Sequence, residues 1–489
     1  MPYQPVIGLE IHIELKTKTK MFCACLNNPD ETRPNFNICP VCTAQPGTLP
    51  VINQEAVRQT IKCGLALNCQ IAHFSKFDRK NYFYPDLPKG YQISQYDQPL
   101  CSAGFLEIAG KKIRIRRIHL EEDTGRLIHP ENCDYSLVDF NRAGIPLMEL
   151  VTEPDISSAI EARKFAEELH LIMHYLNVSD ADMEKGQMRV EVNISLIPTD
   201  KTATANLNQL GTKVEIKNLN SFRSVERAID YEIKRQTEIL NAGEKVKQET
   251  RGWDETRQIT VAQRVKEEAH DYRYFPEPDL PPLQLSKEFI QEIKATIPEL
   301  PVPKRERFKK EYNLVDKDID VLVYNKSLGE YFEKIISEFA PGLPKEKLFT
   351  LIKLTANYLI SDLQGLLKAK KQSLEQILIT PENFAEFIDL ICQGKISSKV
   401  AKTILVEMLN SGADPSQLIE EKSLTQISDE KTIEKIVEEI IKQYRQTVAD
   451  YQTGKANALQ FLIGQVMART QGKANPVLVR QILEKFLRK

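Results

Sequence analysis

Every odd position from Ile7 to Leu15 is apolar (Ile7, Leu9, Ile11, Ile13, Leu15), while Glu10, His12 and Glu14 take even positions. A period of two marks a strand with one face on a core. Its other face then carries two carboxylates and an imidazole, with about 7 Å between neighbours. Such a run obliges the chain to build a sheet, bury one side and accommodate charge on the other. Met188–Leu196 alternates in the same way and groups Arg189, Glu191, Asn193 and Ser195. In Lys213–Lys217, Val214 and Ile216 oppose Lys213, Glu215 and Lys217. Ile113–Asp123 changes phase: Ile113 and Ile115 keep one, Ile118 and Leu120 the other. A bulge near Arg116 and Arg117 accounts for the switch. Read onward from Ile118, the phase places Glu121 beside Asp123.

Residues 1 to about 280 alternate such strands with loops and a few helices. After Thr152–Asp155, Ser158 and Glu161 predict a capping box. Ile160, Phe165, Leu169, Ile172 and Leu176 predict that helix's apolar stripe. Pro276, Pro278, Pro281, Pro282, Pro298, Pro301 and Pro303 crowd one stretch, a boundary signal. From about 305 the spacing of Ile and Leu is helical, through Leu348–Leu367 and Phe384–Leu409. Gly412-Ala413-Asp414-Pro415 predicts another break. The expected class is α+β: an antiparallel sheet cradle over 1–294, a helical domain over 295–410 and a small helical tail over 411–489. Charge divides within that tail. Residues 411–450 hold nine acidic and five basic side chains; residues 451–489 hold seven basic and one acidic. A cationic final segment is a candidate RNA footprint, or simply a solvated helix face.

Composition narrows the class. A formal charge of −2 excludes bulk attraction to nucleic acid, so any RNA contact is local. No apolar run nears the roughly 20 residues of a membrane span, and Met1-Pro2-Tyr3-Gln4 opens no signal peptide. Nine cysteines in 489 residues do not read as a secreted disulfide framework. A cytoplasmic chain without membrane contact is expected.

Glu10-x-His12, His119-Leu120-Glu121-Glu122-Asp123, Glu149-x-x-x-Glu153 and Glu191-x-Asn193 can converge on one sheet face. Carboxylates with few compensating cations suit Mg²⁺, which takes oxygen ligands and bridges to phosphates. Any one of these strands alone is an ordinary solvated face. The stretch Asp78–Tyr91 packs three cations, four aromatics and two prolines into fourteen residues. It predicts an ordered loop whose Arg79, Lys80 and Lys89 meet an anion, or else a surface loop with snorkelling cations. No Gly-x-x-x-x-Gly-Lys-Ser/Thr and no Gly-x-Gly-x-x-Gly after a strand occurs, so a nucleotide site here is built of carboxylates and metal. Cys23-x-Cys25 and Cys39-x-x-Cys42 supply four thiolates for a closed tetrahedral zinc site. Ordinary reduced thiols and redox chemistry are the alternatives. Cys63, Cys69, Cys101, Cys133 and Cys392 read as buried small residues.

Val6–His12, Arg79–Tyr91, His119–Gly125, Asp139–Glu149 (DFNRAGIPLME), Glu215–Arg223 (EIKNLNSFR), Asp271–Pro278 (DYRYFPEP) and Ala456–Val479 resemble, in order and over essentially the whole chain, the B subunit of the glutamyl/aspartyl-tRNA amidotransferase. The resemblance implies the same cradle, helical domain and tRNA-contacting tail. It implies ATP-dependent phosphorylation of the side-chain carboxylate on mischarged Glu-tRNA(Gln) or Asp-tRNA(Asn), followed by displacement of phosphate by ammonia. By the match, Glu10, His12, Glu122 and Glu149 hold Mg²⁺, and Lys80 and Glu191 line the ammonia path. Arg79, Lys89, Arg142, Lys217 and Arg223, within the shared motifs, are expected at the nucleotide. Against strand phasing, the match favours Glu122 over Glu121. Glu191 stands where many relatives have Asp, and the zinc cysteines vary within the family. The chain has no amidase-type Gly/Ser-rich stretch and Pro2 where a cysteine glutaminase would need Cys. A glutaminase (the A subunit) and a small clamp protein (the C subunit) are therefore implied as partners. The competing expectation is a non-catalytic zinc-containing tRNA-binding scaffold, which leaves the Glu/His strands idle. A free amino-acid ligase is a third, and it would not need residues 415–489.

Overall fold

A computed structural model describes residues 3–199, 210–265, 272–422, 429–453, 455–470 and 472–487. Asp271 of the 271–278 motif, Gln471 of the tail motif, and Arg488 and Lys489 of the cationic end lie outside them. The chain divides into two compact units, residues 1–300 and 301–489.

The first unit opens with β1 (Tyr3–Glu14), α1 (Gln54–Ala66), β2 (Gln70–Ile71), β3 (Phe74–Ser75), β4 (Asp78–Asn81) and β5 (Tyr91–Ser94). It continues with β6 (Cys101–Ile108), β7 (Lys111–Glu122), β8 (Arg126–Ile128), β9 (Leu137–Asp139), β10 (Pro146–Thr152) and α2 (Ala159–Leu176). β11 (Met188–Pro198), β12 (Val214–Leu219), α3 (Phe222–Asn241), β13 (Glu249–Asp254), β14 (Ile259–Val265), β15 (Phe275–Pro276), β16 (Leu283–Gln284) and α4 (Lys287–Ala295) complete it.

Nine strands form one sheet in the order β14–β13–β12–β11–β1–β10–β7–β6–β2. All neighbours are antiparallel except β12 and β13. β1 sits in the middle because its odd face, Ile7 to Ile13, is wholly apolar and fully buried. That face joins residues of α1, α2 and α3 in one core. The expected phase switch in β7 is present: Val151 pairs with Arg117, but Thr152 pairs with Ile115, so Arg116 is bulged. Ile113, Ile115, Ile118 and Leu120 all stay in the core. The bulge therefore moves Arg117, His119 and Glu121 onto the polar face.

Local chemistry sets the helix ends. Ser158 caps α2 by accepting the Glu161 N–H at 3.2 Å. The Glu161 carboxylate accepts instead from the Ser157 N–H at 2.9 Å and from Lys111, so the expected box is only half made. Ile160 is 53% exposed and does not join the stripe; Ala159 and Ala162 fill that place. Cys63, Cys69 and Cys101 are buried as expected, whereas Cys133 is exposed and Cys392 half-buried.

The first boundary lies near residue 300 rather than 294. α4 runs through residue 294, and Ile293, Ile297 and Leu300 pack with the first core. The second unit's regular elements, among its described residues, are all helices. Pro381–Cys392 and Ser398–Ser411 flank Pro415–Glu421, whose Leu418 and Ile419 are buried. That short helix belongs with them, so a cut at 410/411 falls one helix early. Glu430–Gln443, Ala456–Arg469 and Pro476–Leu487 close around their own core of Ile433, Val437, Leu462, Val466, Val479 and Leu483. No helix among the described residues is long and apolar enough to cross a membrane.

Candidate active site and metal centres

Cross-strand register assembles the polar face. His119 on β7 pairs with Glu149 on β10, which pairs with His12 on β1, which pairs with Arg189 on β11. One step along, Glu10 lies opposite Glu191. Directly opposed residues share a face, so four strands bring their ionisable groups to one place. His12 Nε2 lies 3.3 Å from Glu149 Oε2 and 3.6 Å from Glu121 Oε1. His119 Nε2 lies 3.6 Å from both Glu121 Oε2 and Glu149 Oε2. Glu10, His12 and Glu149, and likewise His119, Glu121 and Glu149, each bring their ligand atoms within 4.8 Å of one another. Glu149 belongs to both sets. Carboxylate oxygens with imidazole nitrogens fit a divalent cation that accepts both donor types. The buried His119 Nδ1 has no hydrogen-bond partner, leaving only Nε2 aimed at the cluster.

The cluster opens into a basin of about 620 Å³, lined also by Lys80, Tyr82, Tyr272, Arg189, Glu191 and Lys217. That volume lies within the ~300–1,000 Å³ of small-molecule sites. At its far side the Lys217 ammonium bonds Glu191 at 2.8 Å and faces Glu215 at 3.5 Å. Arg189 bonds Asp123 at 3.0 Å. Lys80 has no carboxylate within 4 Å among the described residues. Its ammonium sits 5.1 Å from the Tyr272 ring.

Burial and charge compete at each group. Burial lowers the His12 pKa, but the hydrogen bond and charge of Glu149, with Glu121, raise it to about 9. Burial would raise Glu149; the charge of His119 and the bond from His12 hold it well below the usual carboxylate range. Glu10 is pushed up by burial and by Glu149. Burial opposes the charge of Lys80, yet Glu121, Tyr274 and Glu149 keep its pKa above the ordinary lysine value. The cluster thus favours charged His12 beside charged Glu149 in the absence of a cation.

Of the expected site residues, Glu10, His12, Lys80, Glu191 and Lys217 line this basin, and Glu149 is buried against His12 beside it. Glu122 does neither. Strand alternation turns it to the other side of β7, where Lys89 Nζ donates to Oε2 at 2.7 Å and the Ile93 N–H to Oε1 at 3.0 Å. Glu121 takes its place. Arg79 is likewise turned away from Lys80 on β4. Its guanidinium forks onto Glu277 at 2.7 and 2.8 Å and lies over the Tyr91 ring. Arg79 and Lys89 are therefore structural partners of carboxylates rather than free cations. Arg142 touches Asp123 from outside the basin at 3.6 Å and donates to the Thr124 and Gly125 carbonyls. Arg223 is exposed in the first turn of α3, and Glu153 pairs with Arg116 at the surface. The sequence places His119 in the converging set and Arg189 on the polar face of its strand, but assigns neither a role of its own.

The four knuckle thiols lie within 4.8 Å of one another. Cys42 Sγ is 3.9 Å from Cys39 Sγ and 4.0 Å from Cys25 Sγ. Tetrahedral zinc at about 2.3 Å from each sulfur implies S···S near ~3.8 Å, so the thiols fit that metal. The Cys39 N–H points at Cys42 Sγ at 3.2 Å, and the fully buried Lys20 brings its ammonium to 3.7 Å. The Cys23 thiol, against burial and with Lys20, draws the Cys42 pKa down to about 5.

Residues 5–291 match the family model described as the GatB/GatE catalytic domain, and residues 330–487 match the GatB domain. The aspartyl/glutamyl-tRNA(Asn/Gln) amidotransferase B subunit of Thermotoga maritima is 50% identical over 495 residues, covering 100% of this chain and 99% of its own. The protein of the same name from Persephonella marina is 49% identical over 492 residues and that from Caldanaerobacter subterraneus 48% over 493, each covering both chains in full. With nearly full-length similarity and both domain models in register with the sheet unit and the helical unit, the chain belongs to the GatB/GatE family of amidotransferase B subunits.

Proposed function

We propose that this chain is the activating subunit of an ATP-dependent, tRNA-dependent amidotransferase of the cytoplasm, working with a glutaminase partner (the A subunit) and a small clamp partner (the C subunit). Its substrates are Glu-tRNA(Gln), Asp-tRNA(Asn) or both. The observation that carries the reading is the convergence of Glu10, His12, His119, Glu121 and Glu149 on one sheet face. The name that the relatives bear, aspartyl/glutamyl-tRNA(Asn/Gln) amidotransferase, supplies the substrate class.

Glu10, His12, Glu121 and Glu149, with His119, are the groups to hold a divalent cation such as Mg²⁺. Such a cation neutralises charge on the transferring phosphoryl group. Lys80, free of a close carboxylate, meets phosphate oxygens from the loop side. A side-chain carboxylate oxygen of the tRNA-borne amino acid attacks the γ-phosphorus, and the bond to ADP breaks. Ammonia then attacks the acyl carbon, phosphate leaves with the bonding pair, and a nitrogen-bound proton passes to a basin carboxylate. Tyr82 and Tyr272 limit water around Lys80. Four cysteines hold zinc as scaffolding, and the tail positions tRNA.

Reconstitution with the two partner subunits tests this. Wild type should release ADP only with mischarged tRNA present. Glu121→Gln should lose at least a hundredfold in transamidation, with the partner's glutamine hydrolysis as the control for assembly. Glu122→Gln should retain turnover but lose stability by roughly 3 kcal/mol, because Lys89 keeps a buried charge without its partner. ADP release indifferent to mischarged tRNA would refute the reading.

A further inference from the structure

Phe83 is 87% exposed, the most exposed of the large apolar side chains described. Its position is not that of a mobile loop tip. Tyr82 and Tyr84, on either side of it, both line the basin. Pro85 and Pro88 fix the following backbone, and two turns close on it: the Leu87 N–H donates to the Tyr84 carbonyl and the Gly90 N–H to the Leu87 carbonyl, each at 3.0 Å. The Gly125 N–H donates to the Asp86 carbonyl at 2.8 Å, and Leu87 is buried. Gly90, at φ +72°, has no side chain. A Cβ there would lie 3.4 Å from Phe83 Cε1, so the ring rests its edge on the glycine. Two of the aromatics nearby have ring partners: Tyr82 meets Tyr272 edge-on, and Tyr96 stacks on Tyr274 at 4.1 Å. Phe83 has no ring partner among the described residues. A rigid loop thus presents the open face of Phe83 within a residue of the basin wall, beside the less exposed Tyr84.

We infer that Phe83 is a stacking platform for an unpaired base at the acceptor end of the aminoacyl-tRNA, and so positions the amino acid in the basin. The inference rests on the proposed function. The amino acid to be activated is esterified to the end of a single strand, so bases must lie at the basin wall when the carboxylate is inside it. Unpaired bases are held by aromatic rings, and every base has a π-face to offer. Arg189 and Lys217 in the basin are already paired with carboxylates and Lys80 is assigned to the nucleotide, so the ring is a contact left for the strand. A ring fixed before binding loses little freedom on stacking.

The experiment uses the reconstituted complex with wild type, Phe83→Ala and Phe83→Trp. The substituted ring is exposed, so melting temperatures should coincide. KM for mischarged tRNA should rise about tenfold or more in Phe83→Ala and recover in Phe83→Trp, in line with alanine substitutions of stacking rings. KM for ATP and glutamine hydrolysis should not move. A tRNA carrying 2-aminopurine in place of its terminal adenine should be quenched on binding wild type and Phe83→Trp, and not Phe83→Ala. Equal KM and equal quenching in all three proteins would overturn the inference while leaving the proposed function intact. Failure of Phe83→Ala to assemble with the partner subunits would also overturn it, assigning the ring to a protein contact. Absence of mischarged-tRNA-dependent ADP release in wild type would instead refute the function, and the platform with it.

Discussion

Which way a single side chain points decides most of this site. Glu121 and Glu122 are neighbours of the same charge, yet one faces His12 and the other Lys89. Arg79 and Lys80 divide in the same way across β4. Alternation is a rule of backbone geometry, and it outranks similarity of motif when two candidate residues adjoin. The same geometry pairs Glu14, one step from His12 on its face, with Asp123. Burial and the Asp123 charge raise Glu14 to about 8 from an ordinary 4.5, against the pull of Arg189 and Arg142, while Asp123 is held low. The proton therefore stays on Glu14 in the fold. Between pH 4.5 and 8 the folded chain binds a proton that the unfolded chain releases, so this pair's contribution is complete below 4.5 and lost as pH rises through 8. Glu14→Gln keeps a donor toward Asp123 without the titration. Its melting temperature should fall less steeply than wild type across that window. Parallel curves would show that Glu14 titrates normally.

At the scale of elements, the strands were legible because their periodicity is clean. Ile7–Leu15 and Met188–Leu196 each state which residues face the core. Even the β7 bulge was readable, since the Ile113/Ile115 and Ile118/Leu120 pairs, out of phase, can both be buried only if one residue is skipped. The nine-strand order was not legible: β12 and β13 pair in parallel across α3, a long-range choice that no local pattern records. Nor was the fate of the loop cations, because Glu277, the partner of Arg79, lies 198 residues away. The cysteine knuckle stands between these cases. Spacing named its four thiols, but the buried Lys20 beside Cys42 came only with the structure. The knuckle has little apolar burial of its own, with Leu26, Phe36, Leu49 and Val51 exposed around it. A metal should therefore supply much of its order. Purified protein should carry about one zinc per chain, the capacity of one closed four-thiolate site. Cys39→Ser should lose that zinc, lower the melting temperature and open residues 20–50 to proteolysis. Full activity and unchanged melting without zinc would make the thiols ordinary.

The whole chain joins a sheet unit that holds the candidate site to a helical unit whose end carries positive charge. Each has its own buried core, so each can be altered without dismantling the other. Residues 451–489 hold seven basic side chains and one acidic. Several are already near carboxylates: Lys455 lies 2.9 Å from Asp450, Lys485 3.1 Å from Glu434 and Arg469 3.7 Å from Glu439. These pairs are exposed, and exposed pairs are weak, so phosphates can compete for the same cations. The informative truncation is after residue 422, because Pro415–Glu421 packs with the preceding helices and its removal would uncover the surface that Leu418 and Ile419 cover. In the reconstituted complex, the chain ending at 422 should show a raised KM for mischarged tRNA at low salt. KM for ATP should stay near wild type, since every basin residue lies before 300. Raising the salt should shrink the difference, because counterions already displace the tail's cations from the phosphates. Each phosphate contact removed should flatten the slope of log affinity against log salt by about 0.7–0.9, so that slope counts the phosphates the tail engages. An identical KM and identical slope at low salt would make the tail a structural or assembly module. A raised KM for ATP would mean that the helical unit reaches the basin.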